Sequence, residues 1–151
     1  MKIAIGNDHA GVAMKNYFVE SLTKQGHEVV NFGTDDEGSA HYPIYGARVA
    51  KAVASGEFDR GILICGTGVG ISIAANKIKG IRCCVCSEPC TIRLSRQHND
   101  ANIVAFGARI IGQAMAEEIV EAFLTTDYLG TGRHKERVGM IAQLEETQTL
   151  E

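Results

Sequence analysis

No hydrophobic stretch in this chain reaches the roughly 18 residues that span a bilayer, so no membrane anchor is expected. The start, Met1-Lys2-Ile3-Ala4-Ile5-Gly6, lacks the extended apolar region of a secretion signal and reads as a buried strand. Basic charge is not in excess. The 15 Lys and Arg stand against 18 Asp and Glu, a formal net charge of −3, which speaks against nucleic acid as a partner. No internal repeat, low-complexity segment or interdomain linker interrupts the 151 residues, so one domain over 1–151 is expected. Disorder is excluded by a hydrophobic fraction of 45%, since disordered chains are poor in such residues. The five cysteines, Cys65, Cys83, Cys84, Cys86 and Cys90, are odd in number. Without a secretion signal they predict reduced thiols in the cytoplasm rather than a disulfide framework.

What is present is an alternation of short apolar runs with amphipathic stretches. The pattern predicts strands at Ile3–Gly6, Glu28–Phe32, Gly61–Cys65, Ile81–Val85 and Asn102–Phe106. It predicts helices over about 12–24, 44–54, 69–77, 90–97, 108–124 and 135–146. The unbroken Ile62-Leu63-Ile64 suits a parallel strand covered on both faces. Strands alternating with helices imply right-handed crossovers, hence an α/β fold with a parallel sheet. Tyr128-Leu129-Gly130-Thr131-Gly132 precedes the last helix. It is either a simple helix–helix loop or a hinge that lets that helix pack on a partner.

Ligands of open parallel sheets bind beyond the carboxyl ends of the strands. Strand one runs into Asn7-Asp8-His9, strand three into Cys65-Gly66-Thr67-Gly68-Val69-Gly70, and strand four into Ser87-Glu88. Gln97-His98-Asn99-Asp100, before strand five, is expected to join them. The glycine loop exposes backbone N–H groups at a helix start, which makes an anion site. It is no nucleotide P-loop, because Gly-Lys-Ser/Thr does not follow. It departs from the dinucleotide fingerprint too, since Gly70 comes one residue early; Glu88 at about the ribose-binding distance keeps that alternative weakly alive. The plain structural reading is a tight turn that packs a helix on a strand.

Cys65 ends the strand just before the helix start, where amide dipoles favour thiolate over thiol. Such a sulfur beside an anion hole could take a proton next to a carbonyl, the hole holding the resulting enediolate. An inert buried thiol is the alternative. Cys83, Cys84, Cys86 and Cys90 lack zinc-site spacing and read as structural thiols, with a soft-metal site as the other possibility. Cys90 and Arg96 formally match a thiol-phosphatase spacing but lack its glycines. Arg133 and Arg137, four apart, share a helix face, and two guanidiniums suit a phosphate dianion; a solvated helix start is the alternative. Asp8 also fits a helix cap, and His27 and His41 read as surface residues.

Gly6-Asn7-Asp8-His9, the run Cys65-Gly66-Thr67-Gly68-Val69-Gly70-Ile71-Ser72-Ile73-Ala74-Ala75-Asn76-Lys77, Ser95–Asn102 and Gly132-Arg133-His134 with Arg137-Val138 together resemble the ribose-5-phosphate isomerase B family. The resemblance extends from Met1 to about Glu146. It implies a Rossmann-like three-layer α/β/α sandwich with a five-stranded parallel sheet. It also implies a homodimer, or by pairing of dimers a homotetramer, with sites shared between subunits and the C-terminal helix from about 133 on the partner. The implied reaction is interconversion of a phosphorylated aldose and ketose through an enediolate, with no cofactor and no metal.

Residue by residue, Cys65 matches the family's base and His98 the group that opens the sugar ring. Some members carry a glutamate base where Ile71 stands here, so this chain resembles the cysteine type. Asp8 and Asn99 match sugar-hydroxyl contacts, with Tyr42 near them, and Thr67 matches a hydroxyl beside the base. Gly66, Gly68 and Gly70 match the anion hole. His9, Arg133 and Arg137 match phosphate ligands, and Arg109 is expected to reach the phosphate from the partner. Asn7 and Cys90 depart from residues common in relatives. The departure at Cys90 leaves ribose 5-phosphate, allose 6-phosphate and other hexose 6-phosphates open as substrates, as well as a non-catalytic sugar-phosphate module.

Overall fold

The computed structural model describes residues 1–150. Strands β1 (Lys2–Asn7), β2 (Glu28–Asn31), β3 (Arg60–Cys65), β4 (Cys83–Val85) and β5 (Ile103–Gly107) form one sheet in the order β2-β1-β3-β5-β4. All pairings are parallel; Ile5 faces Ile62 across β1–β3, and Cys65 faces Gly107 across β3–β5. The helices are α1 (Val12–Lys24), α2 (Tyr42–Ala54), α3 (Val69–Ala75), α4 (Pro89–Asn99), α5 (Gln113–Thr125) and α6 (Gly132–Thr147). A short 3₁₀ turn, His9–Gly11, joins β1 to α1.

The alternation of side chains along each strand explains the three layers. Ile62 and Ile64 of β3 join Ile3, Ile5, Val104 and Phe106 against Phe18 and Leu22 of α1, Ile92 of α4 and Phe123 of α5. Leu63 and Cys65 of the same strand point the other way, with Ala4, Ile103 and Ala105, against Val49 and Val53 of α2 and Ile71 of α3. Each face of the sheet has its own buried cluster, which requires the uninterrupted apolar runs seen in β1, β3 and β5.

Differences from the expected boundaries have local causes. Residues 108–112 are turn rather than helix, because the Ile110 and Ile111 amides both bond back to Gly107 O. Helix α5 therefore begins at Gln113, after Gly112. Helix α2 begins earlier than expected, at Tyr42, since Pro43 occupies its first turn, where a missing N–H costs nothing. Strand β4 begins only at Cys83: Ile81 is buried, but its amide bonds to Ile78 O in a turn. Among the described residues no helix is long and apolar enough to cross a membrane.

Helix α6 has no buried residue. It touches α4 and is tied at its far end by Glu145 to the Gly80 amide and by Glu146 to Lys79. Its Met140, Ile141 and Leu144 remain exposed.

Candidate active site

The chain passes from β1 outward to β2, then returns to β3 on the other side of β1. The carboxyl ends of β1 and β3 therefore flank the point where the winding reverses, the favoured ligand crevice of such sheets. Asp8 and Cys65 stand there. The Asp8 amide bonds to Ile64 O at 3.1 Å, and its Oδ1 accepts the Ala10 amide at 2.9 Å. Asp8 thus caps the 3₁₀ turn, while Gly11 precedes α1 itself. Asn7 is fully buried and its Nδ2 donates to Asp8 O at 2.8 Å and Thr34 O at 3.0 Å. It braces the turn that presents Asp8.

The Cys65 sulfur accepts the Gly68 amide at 3.1 Å. The glycine is required by the backbone: φ is +81°, and a Cβ would lie 2.8 Å from the Phe106 backbone. At Gly70 a Cβ would lie 2.8 Å from Cζ of Tyr42, so the Tyr42 ring covers the first turn of α3. The Thr67 hydroxyl accepts the Val69 amide at 3.2 Å, and Thr67 is exposed. His9 Nδ1 accepts the Ala40 amide at 3.3 Å. Arg109 leans over its own loop: its Nη1 lies 3.4 Å from where a Cβ on Gly66 would sit, and its amide bonds to Gly66 O. Within its own chain Arg109 thus lies over Gly66, the residue that follows Cys65.

A second group gathers at the opposite edge of the sheet. Helix α4 leaves the carboxyl end of β4 and returns to the amino edge, as a crossover helix must. His98 and Asn99 form its last turn, so they do not join Cys65 within the chain as expected. The length of β5 separates the two groups by roughly 15 Å. Arg82, just before β4, donates Nε to Asn99 O at 2.9 Å and pairs with Asp100 at 2.9 Å. Buried Arg96 donates to Asp100 Oδ1 and Ala101 O, both at 2.7 Å, and to Thr126 O at 3.2 Å. Asp100 closes α4 in the left-handed region, φ +49°. The start of α6 comes to the same place: the His98 and His134 rings stack at 4.3 Å with planes 6° apart. Arg133 and Arg137 flank His134 and are exposed. Desolvation, then the nearby His98, Arg133 and Arg137, hold the His134 pKa below the usual imidazole value.

Three supports carry no role in the sequence pattern. The Asn7 brace has no spacing behind it. The Arg96–Asp100 pair is visible only as an i,i+4 couple, and His134 only as part of the Gly132-Arg133-His134 run. Lys15, almost fully buried, pairs with Asp35 behind Asn31. A cleft of about 490 Å³ between α1 and α5 is lined by Tyr17, Leu22 and Glu117 and lies away from Cys65.

The remaining cysteines are free and divide by face. Burial pushes the Cys83 thiol up. Cys84 and Cys86 pack against the opposite cluster. The neighbouring Cys86 thiol favours the Cys84 thiolate and brings it down to about 7, and Cys84 in turn pushes Cys86 up. Among the described residues no three His, Cys, Asp or Glu side chains converge to hold a metal ion. Cys90 sits exposed at the start of α4, its amide bonded to the Glu88 carboxylate, with no phosphate-cradling loop around it.

The ribose/galactose isomerase family model matches residues 3–141. The chain is 54% identical to ribose-5-phosphate isomerase B of Escherichia coli over 145 residues, covering 96% of this chain and 97% of that protein. It is 42% identical to a galactose-6-phosphate isomerase subunit of Clostridium acetobutylicum, over 95% of this chain and 83% of the other. A solved ribose-5-phosphate isomerase B from Clostridium thermocellum superposes with a TM-score of 0.95 at 50% identity, covering 99% of this chain and all of that one. The amide-backed cysteine at the sheet's switch point, the second cluster on α4 and α6, and these likenesses agree: the chain belongs to the ribose/galactose isomerase family.

Proposed function

We propose that this protein interconverts ribose 5-phosphate and ribulose 5-phosphate without a cofactor, in sites built between two copies of the chain. The observation that carries the reading is the Gly68 N–H on the Cys65 sulfur, inside a glycine turn open at the switch point. A donor aimed at the sulfur favours the thiolate, and the neighbouring amides of the loop suit an oxyanion.

Ring opening comes first. His98 as an acid gives a proton to the ring oxygen as the C1–O bond breaks, and the anomeric hydroxyl gives its proton to a water molecule, leaving the free aldehyde. The Cys65 thiolate then takes the C2 proton. The C2 electron pair forms the enediolate, whose O1 charge the amides of Gly66 and Gly70 hold, joined by that of Gly68 once the sulfur carries the proton. The proton returns to C1, and the O2 proton passes to solvent or to O1 as the ketone forms. Thr67 and Asp8 stand at the rim to hold the two oxygens during that exchange, with Tyr42 and Asn99 on the remaining hydroxyls. His9, Arg109, Arg133 and Arg137 bind the phosphate; guanidiniums suit a dianion because each offers paired donors.

Cys65 and His98 lie at opposite edges of one chain, so a second copy must bring its His98 to the first copy's Cys65. Uncovered apolar residues support that assembly: Ile44, Val69 and Ile73 beside the glycine loop, and Met140, Ile141 and Leu144 on α6. Burying such patches drives association. A cytoplasmic setting fits the reduced thiols.

The reading is tested by following ketose formation from ribose 5-phosphate and, in parallel, from allose 6-phosphate and other hexose 6-phosphates. Preferred turnover of the pentose supports it. Preferred turnover of a hexose moves the substrate within the family, a choice the exposed Cys90 near the carboxyl edge leaves open. Binding without turnover of any of them would mean a non-catalytic sugar-phosphate module.

A further inference from the structure

We propose that His134 is a positioning residue for ring opening, its ring stacked on His98 to fix the plane from which the proton is delivered. The inference rests on the isomerase reading above.

A histidine ring at the end of a helix turns about a broad, roughly two-fold torsion. An imidazole left in that state presents its N–H in many directions, and proton transfer needs one. The two rings lie 4.3 Å apart and 6° from parallel, a contact close enough to remove that freedom. Both rings are carried on braced elements. The end of α4 is held by Arg96, Arg82 and Asp100. The approach to α6 is held by the Leu129 amide on Gln97 O at 3.1 Å. The stack is therefore a product of two fixed backbones rather than of a loop.

The charge around His134 separates it from its neighbours. Desolvation first, then the charges of His98, Arg133 and Arg137, pull the ring toward its neutral form. A neutral imidazole adds little to a dianion site that two guanidiniums already serve. Against His98 it provides a flat, uncharged surface, so a proton on His98 meets no second imidazolium.

Ribulose 5-phosphate provides the discriminating probe. Its C5 oxygen carries the phosphate, so it forms no furanose, and exchange of its C1 hydrogen with solvent deuterium needs enediolate formation but no ring opening. Both reactions are measured in the intact oligomer. In His134→Ala, kcat from ribose 5-phosphate is expected to fall between about tenfold and 10²-fold, the usual scale for a misaligned reacting group. Exchange at C1 of ribulose 5-phosphate stays near the parent rate, which also shows that the variant is folded. His134→Phe, which keeps a flat ring, recovers most of the lost aldose turnover. Equal losses in both reactions, or a raised KM at unchanged kcat, would make His134 a phosphate contact and overturn the proposal. So would a Phe variant no better than Ala. Failure of the isomerase reading looks different: the parent protein itself would then show neither aldose turnover nor C1 exchange.

Discussion

The amide of Gly68 donates to the sulfur of Cys65 across a turn that only glycine can make. The strand, the left-handed residue and the start of α3 all serve that one contact. Gly68→Ala forces a Cβ to within 2.8 Å of the Phe106 backbone at φ +81°. Left-handed strain costs about 1–2 kcal/mol, and overpacking adds about 1–3 kcal/mol. Denaturant melts should show the stability loss, and isomerisation should fall about 10²-fold or more as the donor shifts. A variant with the parent's rate would remove the amide from the mechanism.

Cys65→Ala deletes the proposed base and keeps the loop. Isomerisation is expected to disappear, while ribose 5-phosphate still binds in calorimetry through the phosphate ligands. Turnover near the parent level would place the base elsewhere.

The brace under His98 is also testable. Buried Arg96 and half-buried Arg82 share the carboxylate of Asp100. Asp100→Ala strands the Arg96 charge, although Ala101 O and Thr126 O still accept from it. An uncompensated buried charge costs about 3–5 kcal/mol; the remaining acceptors and the partial exposure of Asp100 reduce that to about 2 kcal/mol. Thermal melts check the loss, and an unchanged midpoint would show that the carboxylate is dispensable.

Thiol reactivity provides a pH signature away from the active site. Cys84 is brought to about 7 by the thiol of Cys86. Its thiolate is present above that value and is lost as pH falls through it. Alkylation of Cys84, mapped by mass spectrometry, should slow steadily below pH 7 and at neutral pH outrun Cys83 and Cys86, whose thiols are pushed up. Equal rates at all three sites would show that the pair does not share a proton in this way.

Sequence pattern reached far into this structure, and its limits are physical. Apolar runs located β1, β3 and β5 because those strands are covered on both faces. The glycine spacing located the anion loop because positive φ and close backbone approach leave no other residue. What pattern missed was direction. His98 and Asn99 precede a strand, and the helix that carries them had already crossed to the amino edge. The start of α5 was misplaced because Ala108–Ile111 is apolar enough for a helix, while Gly107 O captures its amides in a turn. Asn7 and Arg96 act through buried hydrogen bonds to backbone carbonyls, partners that residue spacing does not reveal.

The division of the site between two edges of one chain is the claim on which the mechanism turns. Mixing Cys65→Ala subunits with His98→Asn subunits tests it most directly. Each variant alone should be inactive. After dissociation and reassembly, every mixed dimer holds one site with an intact Cys65 from one chain and an intact His98 from the other. Random pairing should then restore roughly a quarter of the parent activity. No recovery from demonstrably mixed dimers would contradict the account, because Cys65 and His98 would then have to act within the same chain.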